Sequence, residues 1–482
     1  MKTNNIHFRT IDLVILSALL FLLAIPVILF FEILNTNQVL NNSWLVSITF
    51  ISLLVISIFI IVHDISKRPF SLNLMHMLFI FSFLGLAPFI QYITDSLPFN
   101  NFDLITDKDI LLVNILIIIW VIFYFVGYYT KSLHFLRGNL FHKFLNRPVG
   151  YKNLKLAFFI SIIALLYLYK LGTFLKWTRA SYESIIFSYN TSKALIIAIF
   201  IRGIPIITLG GYLLMLDRIK RKKQIGVLIV IILILLNIFF NNPLAAPRYW
   251  TSAISIGFIM ILLEKKIKTG AFLTLCIIIG LLIVAPLIDI GRYNLSNIDA
   301  VRAIKFTNPT NFLKSANFDA YANIIHTMHY IQENGETWGR QLLGSVFFFI
   351  PRTIWSNKPV GSGHIVAKYF NFPNFNVSSP LQAEALINFG VIGLPIFAMI
   401  FGRILRNVDD CYKNRMNQLR INPNSLAFID VIYPFWLGFV FFISRGDLMS
   451  SFAYMVGFTL AGFPLIIKDK KIRSYFYTRF HF

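Results

Sequence analysis

Residues Ile110 to Tyr129 read Ile-Leu-Leu-Val-Asn-Ile-Leu-Ile-Ile-Ile-Trp-Val-Ile-Phe-Tyr-Phe-Val-Gly-Tyr-Tyr, with no charged side chain. A helix crossing the hydrocarbon core of a bilayer needs about 20 such residues. Directly beyond it, Lys131 to Lys155 carries six basic residues. An apolar run followed by a basic loop is the unit from which a multi-pass membrane protein is built. Working outward, twelve runs qualify: 11–31, 43–62, 71–93, 110–129, 154–172, 194–216, 225–240, 249–263, 270–288, 383–402, 427–443 and 449–467. The expected fold is an all-α polytopic protein of about 12 transmembrane helices, one integral-membrane domain over residues 1–482.

Composition agrees. Of 482 residues, 57% are hydrophobic and 13% charged, whereas a soluble domain is roughly half apolar and about a quarter charged. The net charge of +23 would suggest nucleic acid in a soluble chain. Here the Lys and Arg residues sit in short clusters between apolar runs, which places them at a membrane surface instead. Only two cysteines occur, Cys276 in an apolar run and Cys411 in a basic loop. That excludes a disulfide framework and a cysteine zinc site. The run from Ile11 lacks an Ala-x-Ala-like cleavage site and reads as a retained span.

Orientation follows from the basic residues. With the N-terminus inside, the inner segments hold 28 of the 44 Lys and Arg, although the largest loop lies outside. Both termini are then cytoplasmic. The large loop, 289–382, separates the ninth and tenth spans. It is rich in aromatics, and a structureless loop of such length is uncommon. Within it, Ala320 to Gln332 predicts an amphipathic helix, and Gln341 to Ile350 a second, more apolar one stopped by Pro351. Both are expected on the membrane surface or against the bundle. Between the short seventh and eighth spans, Asn241-Asn-Pro-Leu-Ala-Ala-Pro-Arg248 is irregular. Irregular backbone at membrane depth needs protein or a wet cavity around it.

Basic residues are normally depleted on the outer face, yet that face carries Arg248, Arg292, Arg340, Arg352, Lys358 and Arg445. Guanidinium binds phosphate bidentately and stays charged, so the set suits a phosphorylated ligand. The competing role for each is a local ion pair or a snorkelling stem. Arg202, inside the sixth span, is an intramembrane charge with either a functional or a helix-orienting role. Three acids, Asp289, Glu384 and Asp447, are candidates to accept a hydroxyl proton, and Asp447 is equally placed to pair with Arg445. His364, in Gly361-Ser-Gly-His364, is a further candidate base. Asp107-Lys-Asp109 spells a short metal-type motif but also suits a helix start, where acids face the positive dipole end. His326 and His329 share a helix face without the further ligands a metal needs. No phosphate-binding loop, dinucleotide fingerprint or zinc-protease motif occurs in the sequence.

Several stretches occur in a familiar order. Phe347-Phe-Phe-Ile-Pro-Arg352-Thr-Ile-Trp355-Ser-Asn-Lys358-Pro-Val-Gly-Ser-Gly363 is followed by Ser378-Ser-Pro-Leu-Gln-Ala-Glu384-Ala-Leu-Ile-Asn388-Phe-Gly390. Pro247-Arg248 and Gly291-Arg292-Tyr293 precede them, and Arg445-Gly-Asp447-Leu follows. Over roughly residues 240–460 the chain resembles the Wzy-type oligosaccharide repeat-unit polymerases of O-antigen and capsule synthesis. The resemblance implies a GT-C-like fold in the bacterial cytoplasmic membrane, with no cofactor and no metal. It implies a lipid-linked oligosaccharide on undecaprenyl pyrophosphate as substrate, membrane lipid around it, and a chain-length regulator and a flippase as further partners. It also implies that the six cations and Trp355 bind pyrophosphate or sugar, and that Asp289, Glu384, Asp447 or His364 serves as base. Trp338 and Tyr321 are further candidates to stack on sugar rings. Of the paired arginines followed eleven residues later by glycine in some polymerases, Arg352 with Gly363 fits; Arg248 and Arg292 do not. Two other functions compete: an O-antigen ligase, which would rely on a loop histidine, and a flippase, which would need charges reachable from both faces.

Overall fold

The computed structural model describes residues 43–99, 105–130, 139–170, 196–218, 223–263, 270–285 and 312–467. Within them run α1 (Ser43–Lys67), α2 (Leu72–Phe79, continued by a π-helical stretch Ile80–Leu86 and by Ala87–Ile93), α3 (Asp107–Tyr129), α4 (Asn139–Leu145), α5 (Tyr151–Lys170), α6 (Arg202–Arg218, entered through a π-helical Ile196–Ile201), α7 (Lys223–Phe240), α8 (Arg248–Leu263), α9 (Ala271–Ile279), α10 (Ala320–Asn334), α11 (Arg340–Val346), α12 (Ser362–Tyr369), α13 (Leu381–Ile421), α14 (Phe428–Arg445) and α15 (Leu448–Ala461). Among the described residues there is no strand, only an isolated bridge between Pro148 and Ala427.

The protein is all-α and membrane-embedded. Among the described residues seven stretches are long and apolar enough to cross a bilayer: Trp44–Lys67, Leu72–Ile93, Asp107–Tyr129, Tyr151–Lys170, Ile199–Arg218, Leu381–Ile421 and Phe428–Arg445. Each coincides with an expected span. Three more expected spans fall on the shorter apolar helices Gln224–Phe240, Arg248–Leu263 and Leu448–Ala461. The run at 270–288 falls on α9 and the π-helical Gly280–Val284, and the run at 11–31 lies outside the described residues. In the large loop α10 forms where the pattern predicted it. The second loop helix is shorter than expected, ending at Val346 rather than near Ile350. Beyond it the chain turns, Ile350 N–H bonding the Phe347 carbonyl, and Lys358 Nζ donates to the carbonyls of Phe348 and Ile350 in that turn.

The chain divides into two compact units. One draws on Met1–Leu133, Pro247–Asp410 and Phe435–Met455. Its helices approach closely at small residues: a Cβ added at Gly127 of α3 would stand 2.1 Å from the Met399 carbonyl oxygen of α13. Such close approach is how membrane helices gain contact without a hydrophobic driving force. Buried polar groups then lock the register. Asp409 on α13 accepts the Leu72 N–H (2.9 Å) and the Tyr128 hydroxyl (2.7 Å). Asp64 on α1 accepts from Ser71 and Asn73. His76 on α2 accepts from Trp120 Nε1–H through Nε2 (3.2 Å), so its Nδ1 carries the proton and donates to Ser444 Oγ (2.8 Å). That last bond fixes the end of α14, one residue before Arg445.

α3 begins with a capping box, in which Thr106 and Asp109 exchange hydrogen bonds. Asp109 also meets His329 at 3.2 Å, and Asp107 accepts from Tyr92. The Asp107-Lys-Asp109 motif is therefore a helix start, with the His329 ring against Asp109.

The second unit comprises His134–Ala246, Cys411–Pro434 and Val456–Phe482. Asp430, fully buried in the first turn of α14, accepts from Arg415 Nη2 (2.9 Å) and from the Ala427 N–H (2.8 Å), and forms an ion pair with Arg218, whose Nη1 stands 2.8 Å away. Removing any one partner of such a set strands a buried charge. Arg202 is buried in this unit, 2% exposed.

Candidate functional site

The site forms in the first unit, and its foundation is a broken helix. At Phe389 and Gly390 the backbone of α13 leaves helical geometry, with Gly390 at φ +60°. A left-handed backbone is costly for any residue with a Cβ, and here a Cβ would also stand 2.6 Å from Glu336 Oε1. The break orphans the carbonyls at the end of the short half, and the preceding loop caps them. Thr337 N–H donates to the Ile387 carbonyl (2.8 Å) and Gly339 N–H to that of Asn388 (3.3 Å). Asn388 returns the bond, its Oδ1 accepting from the Leu342 N–H of α11 (3.0 Å). The stub Leu381–Asn388 is thus held from both sides, with Glu384 at its centre.

Glu384 is fully buried. Its Oε2 accepts from Ser362 Oγ (2.8 Å), and its Oε1 from the Leu448 N–H at the start of α15 (3.1 Å). Asp447 is the N-cap of the same helix, Oδ1 accepting the N–H groups of Met449 (3.1 Å) and Ser450 (3.3 Å). It does so at φ +30°, a strained conformation that persists only where the surroundings enforce it. Two carboxyls therefore serve the start of α15. Burial pushes the Asp447 carboxyl above the usual carboxylate range, while the N–H groups of Ser450, Gly363 and Met449 and the neighbouring His364 pull it down. Its Oδ2 lies against Gly361, where a Cβ would stand 1.9 Å away. Gly363 is equally confined, with the Val377 carbonyl oxygen 2.7 Å from its would-be Cβ. Gly361-Ser362-Gly363-His364 is thus the strip that touches both acids. His364 is half-buried beside it, its ring edge-on to Phe375.

The five candidate cations within the described residues fall into two groups. Arg445 donates through Nη2 to the Asn317 carbonyl and to Asp319 Oδ1, both at 3.1 Å. Arg248 donates to the side chain of the same Asn317. Asp319 is buried and also accepts from Ser378 N (3.0 Å), Ser378 Oγ (2.6 Å) and Asn323 Nδ2 (3.2 Å). One short turn, Asn317–Asp319, thus gathers two arginines from α8 and α14. The partner of Arg445 is Asp319, not Asp447.

The second group comprises Arg340, Arg352 and Lys358. Arg340 donates to the Asn357 carbonyl (3.0 Å), Arg352 to those of Lys358 (2.6 Å) and Pro359 (3.2 Å), and Lys358 to those of Phe348 and Ile350 (3.1 Å). Among the described residues no carboxylate pairs with any of the three. Within the described residues their positive charge is therefore uncompensated. Burial and the nearby Arg352 both lower the Lys358 ammonium below its ordinary range. The group adjoins the acids through the chain itself: Arg352 bonds Pro359, two residues before Gly361. Pro359 and Met449 in turn pack at Gly344 of α11, where a Cβ would be 2.3 and 3.1 Å from them.

Trp355 is half-buried in the turn between these cations. Trp338 is 78% exposed, whereas Tyr321 is fully buried and bonds Ile110 and Asn114, so its ring cannot meet a sugar. Asp289 and Arg292 lie outside the described residues. Sequence inspection missed Asn317, Asp319 and Ser362. Asp319 immediately precedes an amphipathic helix, where an acid looks like a simple cap. Ser362 sits within Gly361-Ser-Gly-His364 but carries no signal of its own. No family model, no curated protein and no solved structure matches this chain.

Proposed function

We propose that the protein is a membrane glycosyltransferase that polymerises lipid-linked oligosaccharide repeat units on the outer side of the bacterial cytoplasmic membrane. The observation that carries this is the joining, through residues 358–364, of three uncompensated cations to a pair of buried or half-buried carboxyls. A transfer from a polyprenyl diphosphate donor needs both. The acceptor hydroxyl oxygen bonds to the anomeric carbon, and the bond from that carbon to the diphosphate oxygen breaks. The electron pair leaves with the diphosphate, whose growing charge Arg340, Arg352 and Lys358 stabilise. The hydroxyl proton passes to Asp447, whose carboxyl stands above its usual range and nearer to a useful base. Glu384, Ser362 and the glycine strip position it. Arg445 and Arg248 hold the floor of the site through Asn317 and Asp319. The motif resemblance supports the substrate class.

The test is the surface-polysaccharide profile of a deletion strain complemented with variants. Single repeat units on the lipid anchor in the deletion strain, restored to polymer by the wild-type chain and not by stably inserted Arg352→Ala, are the expected result. Normal polymer length with Arg352→Ala removes that residue from the site. Unattached lipid-linked polymer would mark a ligase instead. The half-buried His364 next to Asp447 is what favours that second function, and full activity of His364→Ala would argue against it.

A further inference from the structure

The two helices of the large loop meet very different surroundings. α10 is enclosed: every residue from Ala320 to Met328 is buried. α11 and the turns on either side of it point a row of large apolar side chains outward, with Trp338 78%, Phe349 65% and Ile354 79% exposed, and Leu343, Val346 and Phe347 also exposed. The inner side of the same segment is anchored: Leu342 bonds Asn388, Gly339 lies against the Phe389 ring, and Gly344 packs on Pro359 and Met449. Those anchors set its height. Asn388 and Phe389 are where the long half of α13 begins, and from there α13 presents Val391, Ile392, Ile396 and Ile400 outward, Ile392 at 78%. These positions form one helical stripe on a membrane-crossing helix. The apolar row of 338–354 is thus fastened at the start of the part of α13 that bears this exposed stripe. It is flanked by Arg340, Arg352 and Lys358, cations with no acid partner among the described residues. Apolar side chains on one level with cations beside them is the pattern of an element lying in a lipid interface.

We infer that residues 338–354 dip into the bilayer as a monotopic element, with Trp338, Phe349 and Ile354 among the acyl chains and the three cations level with lipid phosphates. This holds whether or not the phosphate bound there belongs to a glycosyl donor, so it does not stand or fall with the proposed function. If the donor is lipid-linked, the same depth lets its headgroup reach the cations without leaving the membrane.

The experiment uses the full-length chain in phosphatidylglycerol-containing proteoliposomes, with Cys276 and Cys411 replaced by alanine. Nitroxides are attached singly at Phe349→Cys, Ile354→Cys and, as a reference on exposed α10 surface, Gln332→Cys. The expected result is a several-fold higher ratio of oxygen to water-soluble relaxant accessibility at 349 and 354 than at 332. Brominated lipid should also quench the native protein more than Trp338→Phe, which covers the case in which a cysteine variant fails to insert. Relaxant accessibility at 349 and 354 equal to that at 332 overturns the inference. So does spin–spin broadening at those positions, which would make the face a contact between copies of the chain.

Discussion

The turn at Asn317–Asp319 and the loop at Arg340–Lys358 are both built around cations, yet they handle charge in opposite ways. In the turn, Arg445 meets the buried Asp319 and both Arg445 and Arg248 reach Asn317. In the loop, Arg340, Arg352 and Lys358 bond backbone carbonyls and, among the described residues, meet no carboxylate. A compensated arginine is an element of architecture. An uncompensated one costs folding energy through repulsion and desolvation, and repays that cost when an anion arrives. The lesson is that arginines of similar sequence context divide into framework and binding groups by what stands opposite them.

Four measurements would break or sharpen this contrast. The largest effect is expected from Asp319→Ala. It leaves Arg445 without its acid and Ser378 without its acceptor, and should cost about 3 kcal/mol of stability, near the low end for a broken buried pair because Arg445 is partly exposed. Thermal unfolding in detergent measures it, and a neutral result would mean the turn is not framework.

The next tests the same enclosed region by pH. His326 on α10 is buried, and burial, aided by His329, pushes it from 6.5 down to about 4. The unfolded chain therefore binds a proton that the folded one refuses. Stability is full above pH 6.5 and falls as pH drops toward about 4, by roughly 3 kcal/mol at most. His326→Gln should flatten that slope. Guanidiniums do not titrate in this window, so the loop should show no matching transition.

Arg352→Ala turns to the uncompensated group. Exposed and bound only to its own loop, it should alter stability by no more than about 0.5 kcal/mol. Polymer formation should fall about a hundredfold, the loss expected for one transition-state charge donor. Arg352→Lys should recover little, since an ammonium cannot span both carbonyls and a phosphate as the planar fork does. Loss of the fold with Arg352→Ala would place it with the framework instead.

The smallest effect is at the strip between the two regions. Gly361→Ala needs no unusual backbone, since Gly361 sits at φ −58°, but its Cβ would displace the Asp447 carboxyl. About a tenfold loss in polymerisation rate is expected, with the protein still inserted. Unchanged rate would indicate that Asp447 acts only as the cap of α15.

Much of the scaffold was legible because bilayer crossing depends on local composition alone. Uncharged runs such as Ile110–Tyr129 can go nowhere else, and their helices appear where expected. α10 was legible from its period. The length of α11 was not, because the chain past Val346 closes into a turn that Lys358 bonds from ten and eight residues away. The break in α13 was marked only by Phe389-Gly390, a pair that occurs harmlessly in many membrane helices. It is decided by Thr337 and Gly339, some fifty residues upstream. Of the site, Glu384, Asp447 and the cations could be picked out by residue type, since charge at such positions is costly. Asp319 could not.

Composition and the spacing of charges determined by themselves that this chain is a helical membrane protein whose cations gather in short clusters between apolar runs. Hydrophobic transfer acts residue by residue, so a run of apolar side chains states its own fate. Only the tertiary structure decided which arginine is neutralised, which carboxyl caps a helix, and which face of the large loop is left apolar and open. Electrostatic pairing and packing fall off within a few ångströms, and the residues that satisfy them here, Arg445 with Asp319 or Glu384 with Leu448, stand more than sixty positions apart in the chain.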